Sequence, residues 1–121
     1  MKCPCNPTKL YTECCEIAHQ NITAVNSAEQ LMRSRYSAFV MANIEYLQKS
    51  HHASTRPNKR EKKEILLWTK SVAWIRLEIL NTTKNTVEFK ANFMENGQLE
   101  VIHENSLFCK KNGYWVYKKA Q

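Results

Sequence analysis

The sequence predicts an α+β fold in which helices come first and then pack on one face of a four-stranded antiparallel meander. Three observations carry this. The hydrophobic period changes from helical to two at Val72. Both glycines of the chain follow an asparagine, at Asn96-Gly97 and Asn112-Gly113, and Asn-Gly between alternating segments is the strongest short hairpin signal. Four of the five cysteines crowd the start of the chain, which marks off a small N-terminal unit.

That unit comes first. Cys3, Cys5, Cys14 and Cys15 have three explanations. A disulfide framework conflicts with an N-terminus, Met-Lys-Cys-Pro-Cys, that lacks the apolar run of an export signal. A bridge between adjacent Cys14 and Cys15 would also be badly strained. Four unrelated buried thiols would not fall at this spacing by chance. A zinc site remains, because Zn2+ takes four thiolates at tetrahedral corners. Cys3-x-Cys5 supplies two ligands from a tight turn. Asn6 as N-cap and Pro7 as first helical residue then predict about two turns of helix from Thr8 to Cys15, bringing Cys14 and Cys15 back to the start. His19 is the weaker substitute for a fourth ligand. Residues 16–26 show no clean period and read as a linker.

Ser27 opens the next helix, with Gln30 as its capping-box partner. The helix is expected over Ala28–Ala42, stopping near Asn43, with Leu31, Ala38, Phe39 and Ala42 on one stripe widened by Met32, Tyr36 and Val40. Arg33 and Arg35 fall at different angles around it. A short helix follows over Ile44–Ser50. His51 to Pro57 reads as a loop, and Lys59–Trp68 as a third helix, charged first and apolar last.

Strands are expected at 72–82, 86–95, 98–109 and 114–119. In the first, Ala73, Ile75, Leu77 and Ile79 alternate with Trp74, Arg76, Glu78 and Leu80. Two-residue turns at the Asn-Gly pairs set the register. Phe89 then faces Glu104, Ala91 faces Ile102, Val87 faces Ser106, Phe108 faces Tyr117 and Lys110 faces Trp115. Side chains alternate faces, so Val87, Phe89, Ala91, Phe93, Ile102, Phe108, Trp115 and Tyr117 share the face that the helices cover. Glu104 and Ser106 lie within that apolar set.

An unpaired carboxylate there is costly. Three arrangements answer the cost. In one, Glu104, Ser106 and an arginine, Arg33 or Arg35, are the polar groups of an aromatic-lined pocket with Tyr36 and Trp115. In another, a buried ion pair fixes helix against sheet. In the third, a β-bulge turns Glu104 to solvent. His103 falls on the opposite face, as does Cys109.

Composition excludes several classes. A chain of 121 residues holds one core. Two glycines cannot write a phosphate-binding glycine loop. No apolar run approaches the roughly 20 residues of a membrane span, so a soluble cytoplasmic protein is expected. The net charge of +7 favours an acidic partner. Its basic clusters are Lys59, Arg60, Lys62 and Lys63, and Lys110, Lys111, Lys118 and Lys119. Neither has the interleaved aromatics of single-strand binders, so nucleic acid is weakly supported.

Two resemblances add to this reading. Cys3-Pro-Cys5, Lys9, Tyr11 and Cys14-Cys15 resemble the SEC-C motif that ends the bacterial SecA translocation ATPases, with Asn6-Pro7 where Gly-Ser is usual. Leu31-Met-Arg33-Ser-Arg35-Tyr36-Ser-Ala-Phe39 resembles the signature of the YchJ-like proteins. Tyr46-Leu, His52, Ser54-Thr-Arg56-Pro57, Trp74, His103-Glu104, Ser106, Phe108, Asn112-Gly113 and Trp115 fit the same pattern in order. His51 and Ala53 replace the usual Trp and Pro, and Asn105 and Leu107 replace two arginines. The resemblance implies a SEC-C zinc segment over 1–20. It also implies a nuclear-transport-factor-two-like (cystatin-like) domain over 27–121, a curved sheet wrapped around helices to form a cone. It implies no reaction.

Two functions from different classes follow as expectations. A closed four-thiolate zinc site has no open coordination position. SEC-C segments resemble docking tails, which in SecA contact a chaperone partner and the ribosome, so an interaction module is the first expectation. A small-ligand receptor or enzyme is the second, with Glu104 as acid or base, Arg33 or Arg35 as anion anchor and His52 at the rim; no catalytic residue is assigned. A homodimer is a further expectation, through a patch of Trp74, Leu80, Met94, Leu99 and Val101 on the outer sheet face.

Overall fold

In the computed structural model, which describes residues 1–121, the chain opens on a hairpin of β1 (Lys2–Cys3) and β2 (Asn6–Leu10), paired antiparallel. The helix expected over Thr8–Cys15 is not formed. The Asn6 side chain instead accepts from the backbone and hydroxyl of Thr8, at 3.0 and 2.7 Å. The fixed φ of Pro7 suits an extended edge as well as a helix start. A single 3-10 turn, Tyr11–Glu13, leads to α1 (Cys15–Gln20), and another, Ile22–Ala24, follows it. The stretch expected to be a linker is therefore structured, with Ile22 and Val25 buried. Elements this short carry too few residues to display a 3.6 period.

Helix α2 (Ala28–Val40) is the central helix. Ser27 Oγ accepts from Gln30 N at 3.1 Å as expected. The Gln30 side chain, however, reaches past Ser27 to accept from Asn26 N at 2.6 Å. The helix stops two residues short of Ala42, because Ala42 takes a left-handed φ of 54°. Asn43 N then bonds Ala38 O at 2.8 Å and Ala42 N bonds Phe39 O at 3.1 Å, a Schellman closure. Asn43 in turn caps α3 (Ile44–Lys49) by accepting from Tyr46 N. Helix α4 (Lys59–Ser71) starts in a full capping box between Asn58 and Glu61. It runs three residues beyond Trp68, held there by Thr69, whose hydroxyl donates to Phe39 O at 2.7 Å.

Strands β3 (Ala73–Thr82), β4 (Thr86–Glu95), β5 (Gln98–Lys111) and β6 (Tyr114–Ala120) form an antiparallel sheet in that order. The register is the expected one: Phe89 opposite Glu104, Ala91 opposite Ile102, Val87 opposite Ser106, Phe108 opposite Tyr117 and Lys110 opposite Trp115. Strand β3 departs from strict alternation. The register shifts between Trp74 and Arg76 and again between Ile79 and Asn81, so Trp74, Leu77 and Ile79 all pack against the core. Trp74, expected on the outer face, is turned inward against Tyr36, Phe39, Trp68 and Phe93. Leu80, Leu99 and Val101 of the expected patch are exposed. Leu31, Val87 and Phe108 are fully buried, and they share one core with Cys3, Cys5, Cys15 and Tyr11, which joins the N-terminal unit to the sheet. No helix is long and apolar enough to cross a membrane.

Candidate metal centre and cone cavity

The four N-terminal cysteines converge although the chain between them is a hairpin and a turn. Cys3 ends β1, Cys5 lies in the hairpin turn, Cys14 precedes α1 and Cys15 opens it. Their sulfurs all lie within 4.8 Å of one another. Cys3 Sγ and Cys5 Sγ are 3.7 Å apart, and Cys5 Sγ and Cys14 Sγ 3.6 Å. A tetrahedron with metal–sulfur bonds of about 2.3 Å has edges of about 3.8 Å, so the donor set fits a tetrahedral thiophilic ion. Three of the four cysteines are buried and Cys14 is partly so. The neighbouring thiols, Cys15 first and then Cys14 and Cys3, pull the Cys5 thiol down to about 5 against the opposing effect of burial. The proximity of Cys5 and burial push the Cys15 thiol up.

Helix α2 supports the cluster. Cys15 Sγ lies 3.5 Å from Arg33 O, Cys3 Sγ lies 3.6 Å from Ser37 Oγ, and Arg33 Nη1 donates to Cys5 O at 3.1 Å. Arg33 also pairs with Glu29 at 2.9 Å. Arg33 therefore holds the cysteine hairpin and does not line the sheet pocket. His19 is no ligand: Nε2 lies 2.8 Å from Ser34 O and must donate to it, which leaves Nδ1 to accept from the Tyr11 hydroxyl at 2.8 Å.

A cavity of about 240 Å³ opens between α2, α3, α4 and the inner sheet face. Of the residues expected there, Arg35, Tyr36, Glu104 and Ser106 line it. Glu104 keeps its regular place opposite Phe89, so no bulge turns it to solvent; the shift in β5 falls later, between Leu107 and Phe108. Glu104 forms no ion pair with Arg35 either. Its Oε2 accepts from the hydroxyls of Ser106 and, at 3.4 Å, Tyr117. Arg35 is buried, donates from Nη1 to Leu47 O and Ser50 Oγ, and has its guanidinium 4.9 Å from the centre of the Tyr117 ring. Burial lowers its pKa to about 10.

Besides Arg33, two expected residues lie elsewhere. His52 Nδ1 accepts from Ser54 N and lies 2.8 Å from Ser54 Oγ in the loop outside the cavity. Its neighbour His51 lines the cavity instead, tied to β6 by backbone pairing with Tyr117. Trp115 is buried in the core, away from the cavity lining. Sequence reasoning missed Trp68, Trp74, His51 and Tyr117 as lining residues. Tyr117 was already on the inner face by register. Trp74 depended on a bulge that alternation does not reveal.

The comparisons agree with this architecture. The family model described as "YchJ, middle NTF2-like domain" matches residues 27–120. A UPF0225 protein of Vibrio parahaemolyticus is 40% identical over 121 residues, covering 95% of this chain and 71% of the relative. One from Shewanella sp. strain ANA-3 is 37% identical over 131 residues, covering 98% and 79%. The solution structure of a SEC-C motif containing protein from Rhodopseudomonas palustris superposes with a TM-score of 0.82 at 28% identity, covering 100% of this chain and 98% of that one. A crystal structure of a SEC-C motif containing protein from Psychrobacter arcticus gives 0.80 at 30% identity, covering 98% and 81%. With an N-terminal thiol cluster fit for a metal and an NTF2-like sheet curled over its helices, the chain belongs to the YchJ-like family.

Proposed function

We propose that the chain is a zinc-stapled small-ligand-binding protein, its metal structural and its ligand taken into the cone cavity. Cys3, Cys5, Cys14 and Cys15 would hold Zn2+, which supplies a crosslink and a sink for thiolate charge and no open coordination position. The single observation that supports ligand binding is the cavity itself. It has aromatic walls, and it holds one carboxylate and one guanidinium that are not paired with each other. A few convergent polar groups in an apolar concavity are the mark of a small-molecule site. Trp68 and Trp74 line it and report on it. A library of small aromatic and aliphatic compounds is expected to contain members that change intrinsic fluorescence and raise the melting temperature. A library without effect on either measurement removes this reading.

Docking on a protein or ribosomal partner is a second reading, supported by Leu10 and Ile17, apolar and about half exposed on the metal unit. Co-sedimentation with ribosomes, and its loss in Leu10→Asp together with Ile17→Asp, tests it. Unchanged sedimentation in that double variant places the contact elsewhere.

A further inference from the structure

Arg35 bears on what the cavity takes; the inference rests on the small-ligand reading above. The residue is only 7% exposed, yet a single one of its nitrogens is engaged. Nη1 donates to Leu47 O at 2.9 Å and to Ser50 Oγ at 2.7 Å. One face of the guanidinium is covered by the Tyr117 ring. Nε and Nη2 have no protein acceptor, and no carboxylate pairs with the group. These two nitrogens form the edge whose parallel N–H bonds match the two oxygens of a carboxylate. A guanidinium buried this deeply without a counter-ion is costly, and an anion on the free edge would offset that cost.

The walls limit which anion. Glu104 is the one acidic side chain lining the cavity, and Arg35 the one arginine. Either a phosphate dianion or a monoanion would meet this one cation and this one carboxylate, and the dianion would leave one more negative charge uncompensated. The volume of about 240 Å³ is below the usual range for ligand pockets, roughly 300–1,000 Å³, which limits the ligand to a small one. The lining also includes the aromatic side chains of Tyr36, Phe39, Trp68 and Trp74.

We propose that the cone cavity binds a small monocarboxylic acid with an apolar, preferably aromatic, body, its carboxylate held by the Nε–Nη2 edge of Arg35. A hydroxyl or amino group next to the carboxylate would be met by Glu104, whose second oxygen is uncommitted.

The test is a titration of the full chain, loaded with zinc, with phenylpropionate and phenyllactate against the neutral isostere phenylpropionamide, read by tryptophan fluorescence and calorimetry. The acids are expected to bind about tenfold or more tightly than the amide, and Arg35→Gln to erase that preference. The acid-to-amide comparison in the unmutated protein stands even if the variant folds poorly. Equal binding of acid and amide overturns the carboxylate assignment and leaves the cavity a ligand site. If neither binds, the assignment is overturned as well. Indole and phenylethanol then decide the wider reading: their binding keeps a small-ligand site, and their failure removes both.

Discussion

The Arg33 guanidinium donates to the Cys5 carbonyl over 3.1 Å, and this bond fastens the cysteine hairpin to α2. Glu29 holds the same guanidinium from one helical turn earlier. The arrangement makes Arg33 a clamp for the metal unit. Arg33→Ala should lower stability by about 1 kcal/mol, at the lower end for a charged donor because the side chain is partly exposed. The sharper readout is zinc release to a chelator, which should be faster in the variant. An unchanged release rate would show that the hairpin holds its shape without α2.

Metal removal should be felt beyond the first twenty residues. Cys3, Cys5, Cys15 and Tyr11 pack in the same core as Val87, Phe89, Phe108 and Trp115. Ions that bind only the folded state stabilise it by mass action. Chelation, or Cys14→Ser, should therefore expose the hairpin to hydrogen exchange and also lower the melting temperature of the whole chain. Metal analysis of the untreated protein should give near one zinc per chain. A melting temperature indifferent to chelator would separate the staple from the core.

Residue pattern alone fixed the sheet register because both hairpin turns are Asn-Gly. Asn96 and Gly97 at φ 52° and 77°, and Asn112 and Gly113 at 54° and 85°, give the two left-handed positions that a two-residue turn needs. From there Glu104 and Ser106 fell on the inner face by counting. The failures share a cause: each needed a tertiary contact that overrides a local preference. Thr8 to Leu10 became a strand because Lys2 and Cys3 offer a partner. Trp74 turned inward because a bulge shifts β3 by one residue. Arg33 and Arg35, two apart, could not be sorted between metal unit and cavity until the hairpin's position on α2 was known. His51 and His52 posed the same difficulty, settled by the pairing of His51 with Tyr117.

Ala42 occupies the left-handed position of the Schellman closure after α2, at φ 54°. A Cβ there costs roughly 1 kcal/mol relative to glycine, partly offset by glycine's greater freedom in the unfolded chain. Ala42→Gly should therefore stabilise the protein by about 0.5 kcal/mol, seen as a raised denaturant midpoint with an unchanged slope. A loss of stability would mean that the half-buried methyl group of Ala42 packs better than its backbone is strained.

His51 lines the cavity with its ring edge-on to Tyr117, centroids 5.0 Å apart. Burial lowers its pKa from 6.5 to about 4, and the positive charges of Arg35, Arg56 and His52 act in the same direction. Between those two values the unfolded chain takes up a proton that the folded chain refuses. Stability from this residue is therefore complete above pH 6.5, falls as the pH drops through the window, and has no further slope below about 4. His51→Gln removes the titration, so its stability should fall less steeply with acid across this window than that of the parent chain. His19 remains in both proteins and cancels in the difference, while His52 contributes through its charge on His51. Denaturant midpoints measured across the window check this. Parallel curves for the two proteins would show that His51 takes its proton as readily folded as unfolded.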